Sequence, residues 1–596
     1  MCRLLLVTLC LLFSNLTVLI AQPPIDADYP EPSEVPGHLP SAVRHKKAMV
    51  AAAHPLAAKI GTDILQAGGN AIDATVAVQM ALTVVEPQSS GIGGGCFIVY
   101  YDAKTKKTHC IDGREETPAG ASREQFLTKD GKVVADAMTG CRAAGVPGTV
   151  AGMYLAHQKF GKLPWKQVVE PAVKLAEGCI GVTPRLRDAI GANRKRFLKI
   201  PSSKQQFLEG PEGTVPEIGT VLHLADLGRT LRRIADHGPA GFYEGETAEL
   251  IVKAVKNCPI APGSITLKDL KNYQAIERDP VTFQYRGYHF AGMPAPSSGT
   301  ITLGIILSCL EPITPENRRP TSVAGIEAWA KAESIGFADR NAYLGDQGWT
   351  QGYQMNHLLA PSRLSQRQKA AMELKPGEKA KPGELFNLQP SPNPDNPTEG
   401  DNTTHFSIVD ADRNIVSCTT TIENGMGCGV VVPGAGFLLN NELTDFDLNK
   451  ADGPNAIDPG RKDINGRAAG KRPRSSMTPL IIFKDDKPVM TVGSPGGAVI
   501  ISIVGNTVIN VLDHQMDMQQ AINGARYSCR NASLNLEGMF TQRAQLAKEL
   551  AARGWKIANL TSGNAVWGGA HGIRLLDDGT LEGGADPRRE GAVRGY

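Results

Sequence analysis

Apolar residues recur every three or four positions over 55–67 and 71–85, which predicts two helices broken at Gly68-Gly69. The second is apolar almost all round, the mark of a helix buried within a core. A glycine-rich stretch, Glu86 to Gly95, then leads into a predicted strand at 96–101. This order excludes a dinucleotide fingerprint, in which the glycines follow a strand and open a helix. Helical periodicity returns at 165–177, 220–237 and 323–344. From 375 to 402 apolar residues become sparse and Pro, Gly, Lys and Asn dominate, as in an exposed, flexible connector. Two runs rich in Thr, Val, Ile and Phe follow at 403–409 and 415–422, bracketing the turn Asp410-Ala411-Asp412-Arg413-Asn414, so a hairpin is predicted. Further strands at 480–484 and 489–492 precede Gly493-Ser494-Pro495-Gly496-Gly497 and a helix at 500–513. Strands with helices on both ends predict a layered α/β domain.

Composition narrows the function classes. The 596-residue chain carries 63 Lys plus Arg against 60 Asp plus Glu, a formal charge of +3, with no basic run interleaved with aromatics. Nucleic acid is therefore not an expected partner. Arg3 precedes an apolar run from Leu4 to Ile20 that ends at Ala21, before a proline-rich leader at 22–45. That is the form of a secretory signal at 1–21, and Thr8, Ser14, Asn15 and Thr17 weaken the alternative of an uncleaved spanning anchor. An exported, periplasmic or extracellular location is expected. Beyond Cys2 and Cys10 there are nine scattered cysteines, with no C-x-x-C pair and no metal-ligand spacing, so neither metal nor cofactor is expected. Cys96 and Cys110 flank a predicted hairpin and are the expected disulfide partners if any oxidise; the rest read as buried hydrophobes.

Thr403 stands where the polar connector ends in Asp401-Asn402 and the first strand of the hairpin begins. A threonine hydroxyl becomes a useful nucleophile when a base takes its proton, and its own α-amino group, with a pKa of about 8, can be that base. The amine must first be freed by cutting the preceding peptide bond. Taken alone, a threonine opening a strand is ordinary β sequence.

The longer context changes that reading. Thr403-Thr404-His405-Phe406-Ser407-Ile408-Val409 and Val416-Ser417-Cys418-Thr419-Thr420-Thr421-Ile422-Glu423 closely resemble the signature of the gamma-glutamyltranspeptidase family. The resemblance runs through the glycine-rich loop, Asp112-Gly113-Arg114-Glu115, Leu438-Leu439-Asn440-Asn441-Glu442, Lys471-Arg472-Pro473-Arg474-Ser475-Ser476-Met477 and Asp586-Pro587-Arg588. It implies a four-layer αββα N-terminal-nucleophile hydrolase sandwich. Large and small subunits, 46–402 and 403–596, would arise from one precursor by cleavage between Asn402 and Thr403. By position in the matched motifs, Thr403 would be the nucleophile, Thr421 would orient its amino group, and the backbone N–H groups of Gly496 and Gly497 would hold the oxyanion. Arg114, with Ser475 and Ser476, would bind the α-carboxylate of a γ-glutamyl substrate, and Glu442 and Asp445 its ammonium. The acyl group would pass to water, an amino acid or a peptide.

Departures from the family pattern concern substrate. Glu423 stands where asparagine is usual, placing three carboxylates on the ammonium side; two like charges about 4 Å apart repel by roughly 4 kcal/mol at an effective dielectric near 20. Arg413 replaces a turn glycine, and Met426 an aromatic. The segment 448–470, the expected lid, has no aromatic residue, which tilts expectation towards hydrolysis over transfer. A related acylase, of the cephalosporin or poly-γ-glutamate kind, is the alternative enzyme; an inactive exported binding protein is a third reading.

Overall fold

The computed structural model describes residues 40–122, 124–178, 180–349, 355–385, 400, 402–448, 464–530, 532–538, 543–558 and 567–596. The expected signal and most of the leader, and residues 449–463 of the expected lid, lie outside them.

Two seven-stranded sheets form the centre. One runs Ala592–Gly595, Met49–Ala52, Thr404–Val409, Ile415–Thr421, Gly95–Asp102, Lys107–Gly113, Ile276–Arg278. The other runs Val43–His45, Leu581–Ala585, His571–Leu575, Lys487–Gly493, Leu480–Lys484, Tyr288–Gly292, Val281–Tyr285. Neighbours within both are antiparallel. Strand alternation explains the layers. Phe406, Ile408, Val416 and Cys418 face one core with the helices Pro55–Gln66, Ala71–Val85, Thr149–Phe160 and Trp165–Glu177. Thr419, Ser417, His405 and Ser407 face the other sheet, where the Ser407 hydroxyl donates to the His571 carbonyl and the Ser417 hydroxyl to that of Val492. A second core packs Gly299–Leu310, Val323–Tyr343 and Ile500–Leu512 on the far side. Helix, sheet, sheet, helix is the expected αββα order.

The predicted boundaries hold to within a residue or two at most elements. One differs more: the helix begins at Ala225, and Val221–Leu222 is a short strand paired with Ile180–Gly181. Part of the connector expected to be flexible is tied down: Arg367 donates to the Lys381 carbonyl, while Tyr343 and Arg363 donate to that of Gly383. Composition does not reveal such bonds, because they depend on how the helices Val323–Tyr343 and Pro361–Glu373 pack against the connector.

The expected Cys96–Cys110 bond is not formed. Cys96 pairs across the ladder with Gly113 and Cys110 with Val99, so the two thiols project from opposite faces of the sheet, into different cores. All eight cysteines among the described residues are free and buried.

Candidate active site

The hairpin turn sets the site. Its five residues pair Val409 with Ile415, and the register continues through Thr404 with Thr420. One further step places Thr403 opposite Thr421, their hydroxyl oxygens 3.3 Å apart and both residues buried. The Thr421 hydroxyl donates to the Asn402 carbonyl at 3.0 Å and accepts from the Glu423 N–H at 2.8 Å. Its one proton is thereby committed, so the bond between the two threonines uses the proton of Thr403.

Around Asn402 the chain is held from three sides. Its amide oxygen accepts from the Ser89 hydroxyl at 2.9 Å and the Arg185 guanidinium at 3.0 Å, and its N–H donates to the Glu423 carbonyl at 3.2 Å. Arg589 donates to the Thr403 carbonyl at 2.8 Å. Glu86, at the start of the glycine-rich loop, pairs with Arg185 and accepts from the Thr404 hydroxyl. That loop needs glycine where it crosses the end of the strand Ile415–Thr421: a Cβ at Gly94 would lie 1.9 Å from the Thr421 carbonyl oxygen.

Thr403 and Thr421 line one cavity with Arg114, Glu423, Glu442, Asp445, Ser475, Ser476 and Gly497, together with Gly400, Met477 and Ile500. Of the residues singled out in the sequence, Asn402 lies just outside this lining, and so does Gly496, which adjoins Gly497. Both glycines take left-handed backbone, φ 133° and 55°, which turns the chain between strand and helix. Arg114 is fully enclosed. Its guanidinium pairs with Glu442 and, at 2.6 Å, with Asp445, and donates to the carbonyls of Pro473 and Arg474. Arg340, from the long helix Val323–Tyr343, donates to the Ser476 hydroxyl at 2.7 Å and to that of Ser298, which in turn donates to the Ser475 carbonyl. Arg340 thus positions both serines.

Glu115 joins this group, 3.7 Å from Arg114. Its place in the Asp-Gly-Arg-Glu motif was the available signal, but sequence does not show its side chain against Gly95, which pairs with Thr421. Glu423 faces the cavity with its carboxylate bonded to the Asn441 amide. Burial pushes the Glu442 carboxyl up to about 8, with Arg114 opposing and Glu115 adding to the rise. Burial likewise raises Glu115 to about 7. Several carboxylates crowd one guanidinium in a dry site, which favours keeping a proton on Glu115 or Glu442. Burial works against the Arg114 charge, but Glu442, Asp445 and Glu115 outweigh it and hold its pKa above the ordinary value.

Arg413 and Met426, two departures in the sequence, both take left-handed backbone, φ 69° and 66°. Arg413 offsets that strain by donating to the carbonyls of Lys46, Lys47 and Gly579, which ties the hairpin turn to neighbouring chain.

A β-sandwich between helical layers, with a threonine hydroxyl pair at the end of a central hairpin, defines an N-terminal-nucleophile hydrolase. The match to known proteins narrows this class. The gamma-glutamyltranspeptidase family model matches residues 57–596, and the chain belongs to that family. It is 38% identical over 561 residues to a glutathione hydrolase proenzyme of Bacillus subtilis, covering 92% of each chain. It is 37% identical to that of Escherichia coli, covering 92% of this chain and 91% of the other. A solved cephalosporin acylase from Bacillus halodurans superposes with a TM-score of 0.80 at 27% identity, covering 95% of this chain and 99% of the other. The chain is accordingly an enzyme of the gamma-glutamyltransferase and glutathione hydrolase type.

Proposed function

We propose that the protein cuts its own chain between Asn402 and Thr403 and then cleaves γ-glutamyl amides, glutathione among them, through an ester on Thr403. The observation that carries this reading is the Thr403–Thr421 hydroxyl pair opening onto the cavity of Arg114, Glu442, Asp445, Ser475 and Ser476. In the cut, Thr403 Oγ attacks the Asn402 carbonyl carbon while the Thr421 hydroxyl, 3.0 Å from that oxygen, stabilises the developing charge. The C–N bond breaks, the Asn402 acyl group moves to Oγ, and water releases it, leaving Thr403 with a free amine. The relatives' description as proenzymes supports such maturation.

In turnover the amine takes the Thr403 hydroxyl proton, Oγ attacks the γ-carbonyl carbon, and the same proton leaves with the departing amine. The N–H groups of Gly496 and Gly497 receive the oxyanion. Water or an amino acid then takes the acyl group from the ester. Arg114 binds the α-carboxylate as a fork, with Ser475 and Ser476 beside it. Glu442 and Asp445 receive the α-ammonium, and Glu423 adds a further negative charge on that side. Export by the segment at 1–21 is part of this proposal; among the described residues no helix is long and apolar enough to cross a membrane.

The acylase likeness gives the second reading, and the substrate's ammonium decides between them. γ-Glutamyl-p-nitroanilide carries it and glutaryl-p-nitroanilide does not. Several carboxylates around one guanidinium predict a preference of roughly 10²-fold or more in kcat/KM for the γ-glutamyl compound, as losing charge-assisted hydrogen bonds of about 1.5–3 kcal/mol each implies. Equal rates, or faster cleavage of the glutaryl amide, would reject the γ-glutamyl assignment.

The retained proton predicts a pH effect. The ammonium replaces it, so substrate binding releases a proton wherever Glu115 and Glu442 are still protonated, below about 7 and 8. KM for γ-glutamyl-p-nitroanilide is therefore expected to fall as pH rises from 6 towards 8.5, and Glu115→Gln to move that fall along the pH axis. A flat KM profile in the wild type speaks against the shared proton.

A further inference from the structure

Three cysteines outside the catalytic cavity meet at one point. Cys141 lies in the short 3-10 turn Cys141–Ala143, Cys258 just after the helix Gly245–Lys256, and Cys428 in the loop that follows Glu423. The Cys141 N–H donates to Cys258 Sγ at 3.3 Å, and the Cys141 thiol donates to the Ala254 carbonyl at 3.9 Å with the Cys258 and Cys428 thiols as neighbours. The backbone N–H groups of Ile260 and Ala261 also lie near Cys258 Sγ and favour its thiolate. Gly140 N–H donates to the Cys428 carbonyl at 2.9 Å, so the turn carrying Cys141 rests against the loop carrying Glu423.

The three thiols are not equivalent. Cys258 sits between the exposed residues Asn257 and Pro259 and is 5% accessible, whereas Cys141 and Cys428 are fully enclosed. Several N–H groups converging on one sulfur favour its thiolate, the form that attacks a disulfide.

We propose that Cys258 and Cys141 form a dithiol site, with Cys258 as the attacking and Cys141 as the resolving thiol, that is oxidised to an internal disulfide by small external disulfides. The thiolate of Cys258 attacks one sulfur of the external disulfide and expels one small thiolate. Cys141 gives up its proton, attacks Cys258 Sγ in the mixed disulfide and expels the second. Two cysteine thiols become one disulfide while the external disulfide is reduced to two thiols. The neighbouring Cys141 thiol and the backbone N–H groups hold the Cys258 thiol below its ordinary pKa, while the proximity of Cys258 and Cys428 keeps the proton on Cys141. The bond needs the two sulfurs at about 2.05 Å, and the backbone N–H of Cys141 already lies against Cys258 Sγ. The bond would clip the turn at 140–144 to the loop after 257, beneath the segment that bears Glu423.

The test uses the wild-type protein, purified reduced and treated with 2-hydroxyethyl disulfide. This probe carries no γ-glutamyl group, so its result is separable from that of the substrate assignment. Alkylation after denaturation and peptide mapping are expected to show two thiols lost, one Cys141–Cys258 crosslink, and Cys428 still alkylated. In Cys141→Ser the reaction is expected to stop at a stable adduct on Cys258, and in Cys258→Ser to leave Cys141 alkylated. No thiol loss in the wild type, a crosslink to Cys428, or a lasting adduct on wild-type Cys258 would overturn the proposal. The wild-type map requires no substitution, so a variant that fails to fold does not protect it.

Discussion

Arg114→Ala is expected to lower kcat/KM for γ-glutamyl-p-nitroanilide by roughly 10²–10⁴-fold, because two charge-assisted bonds to the substrate carboxylate, about 1.5–3 kcal/mol each, are lost. The same change strands Glu442, Asp445 and Glu115 in a dry site without their shared cation. Removing one partner from a buried ionic group costs about 3–5 kcal/mol. The sign with pH follows from the raised carboxyls. Between the ordinary carboxylate range and about 7–8, the folded protein binds more protons than the unfolded chain, so these groups cost more stability as pH rises. Without Arg114 their pKa values climb further, and the deficit in Tm relative to wild type should grow from pH 5 to pH 8. Arg114→Lys keeps the charge but not the fork and should lie between the two. Kinetics and melting curves on all three proteins check this; alanine and lysine variants both within a few-fold of wild type would remove Arg114 from substrate binding.

Thr403→Ala is expected to leave one uncut chain and to abolish turnover, by roughly 10⁴-fold or more, as loss of a catalytic nucleophile does elsewhere. The fold should survive. The Thr404–Thr420 register and the buried strand beyond it do not use the Thr403 hydroxyl. Thr403→Ser retains both hydroxyl and amine and should still cut and turn over, more slowly. Gel mobility and activity, measured on the same preparations, separate the outcomes. An alanine variant that matures and hydrolyses normally would place the nucleophile elsewhere.

Much of this geometry was legible because short-range rules fix it. The turn Asp410 to Asn414 is bounded by two alternating runs, and its length sets the register that brings Thr403 opposite Thr421. The nearly all-round apolar pattern at 71–85 marked a helix that proves buried at every position. What sequence did not disclose is long-range. Met49–Ala52, far away in the chain, pairs with the strand Thr404–Val409, and Arg340 reaches Ser476 from another layer. Arg114 was legible as a cation in a motif, but its enclosure with Glu115, Glu442 and Asp445 depends on two parts of the chain far apart in sequence. The cysteines make the same point in reverse. Cys96 and Cys110 are close in sequence but on opposite faces of a sheet, while Cys141 and Cys258 are distant in sequence and touch.

The central claim is that one residue supplies both nucleophile and base. The most direct measurement is the intact mass and N-terminal sequence of the smaller piece of purified wild-type protein. Cleavage before Thr403 predicts a fragment that begins with Thr403, its α-amine unmodified. A fragment beginning at any other residue, or full γ-glutamyl hydrolase activity in a chain still joined at Asn402, would contradict it.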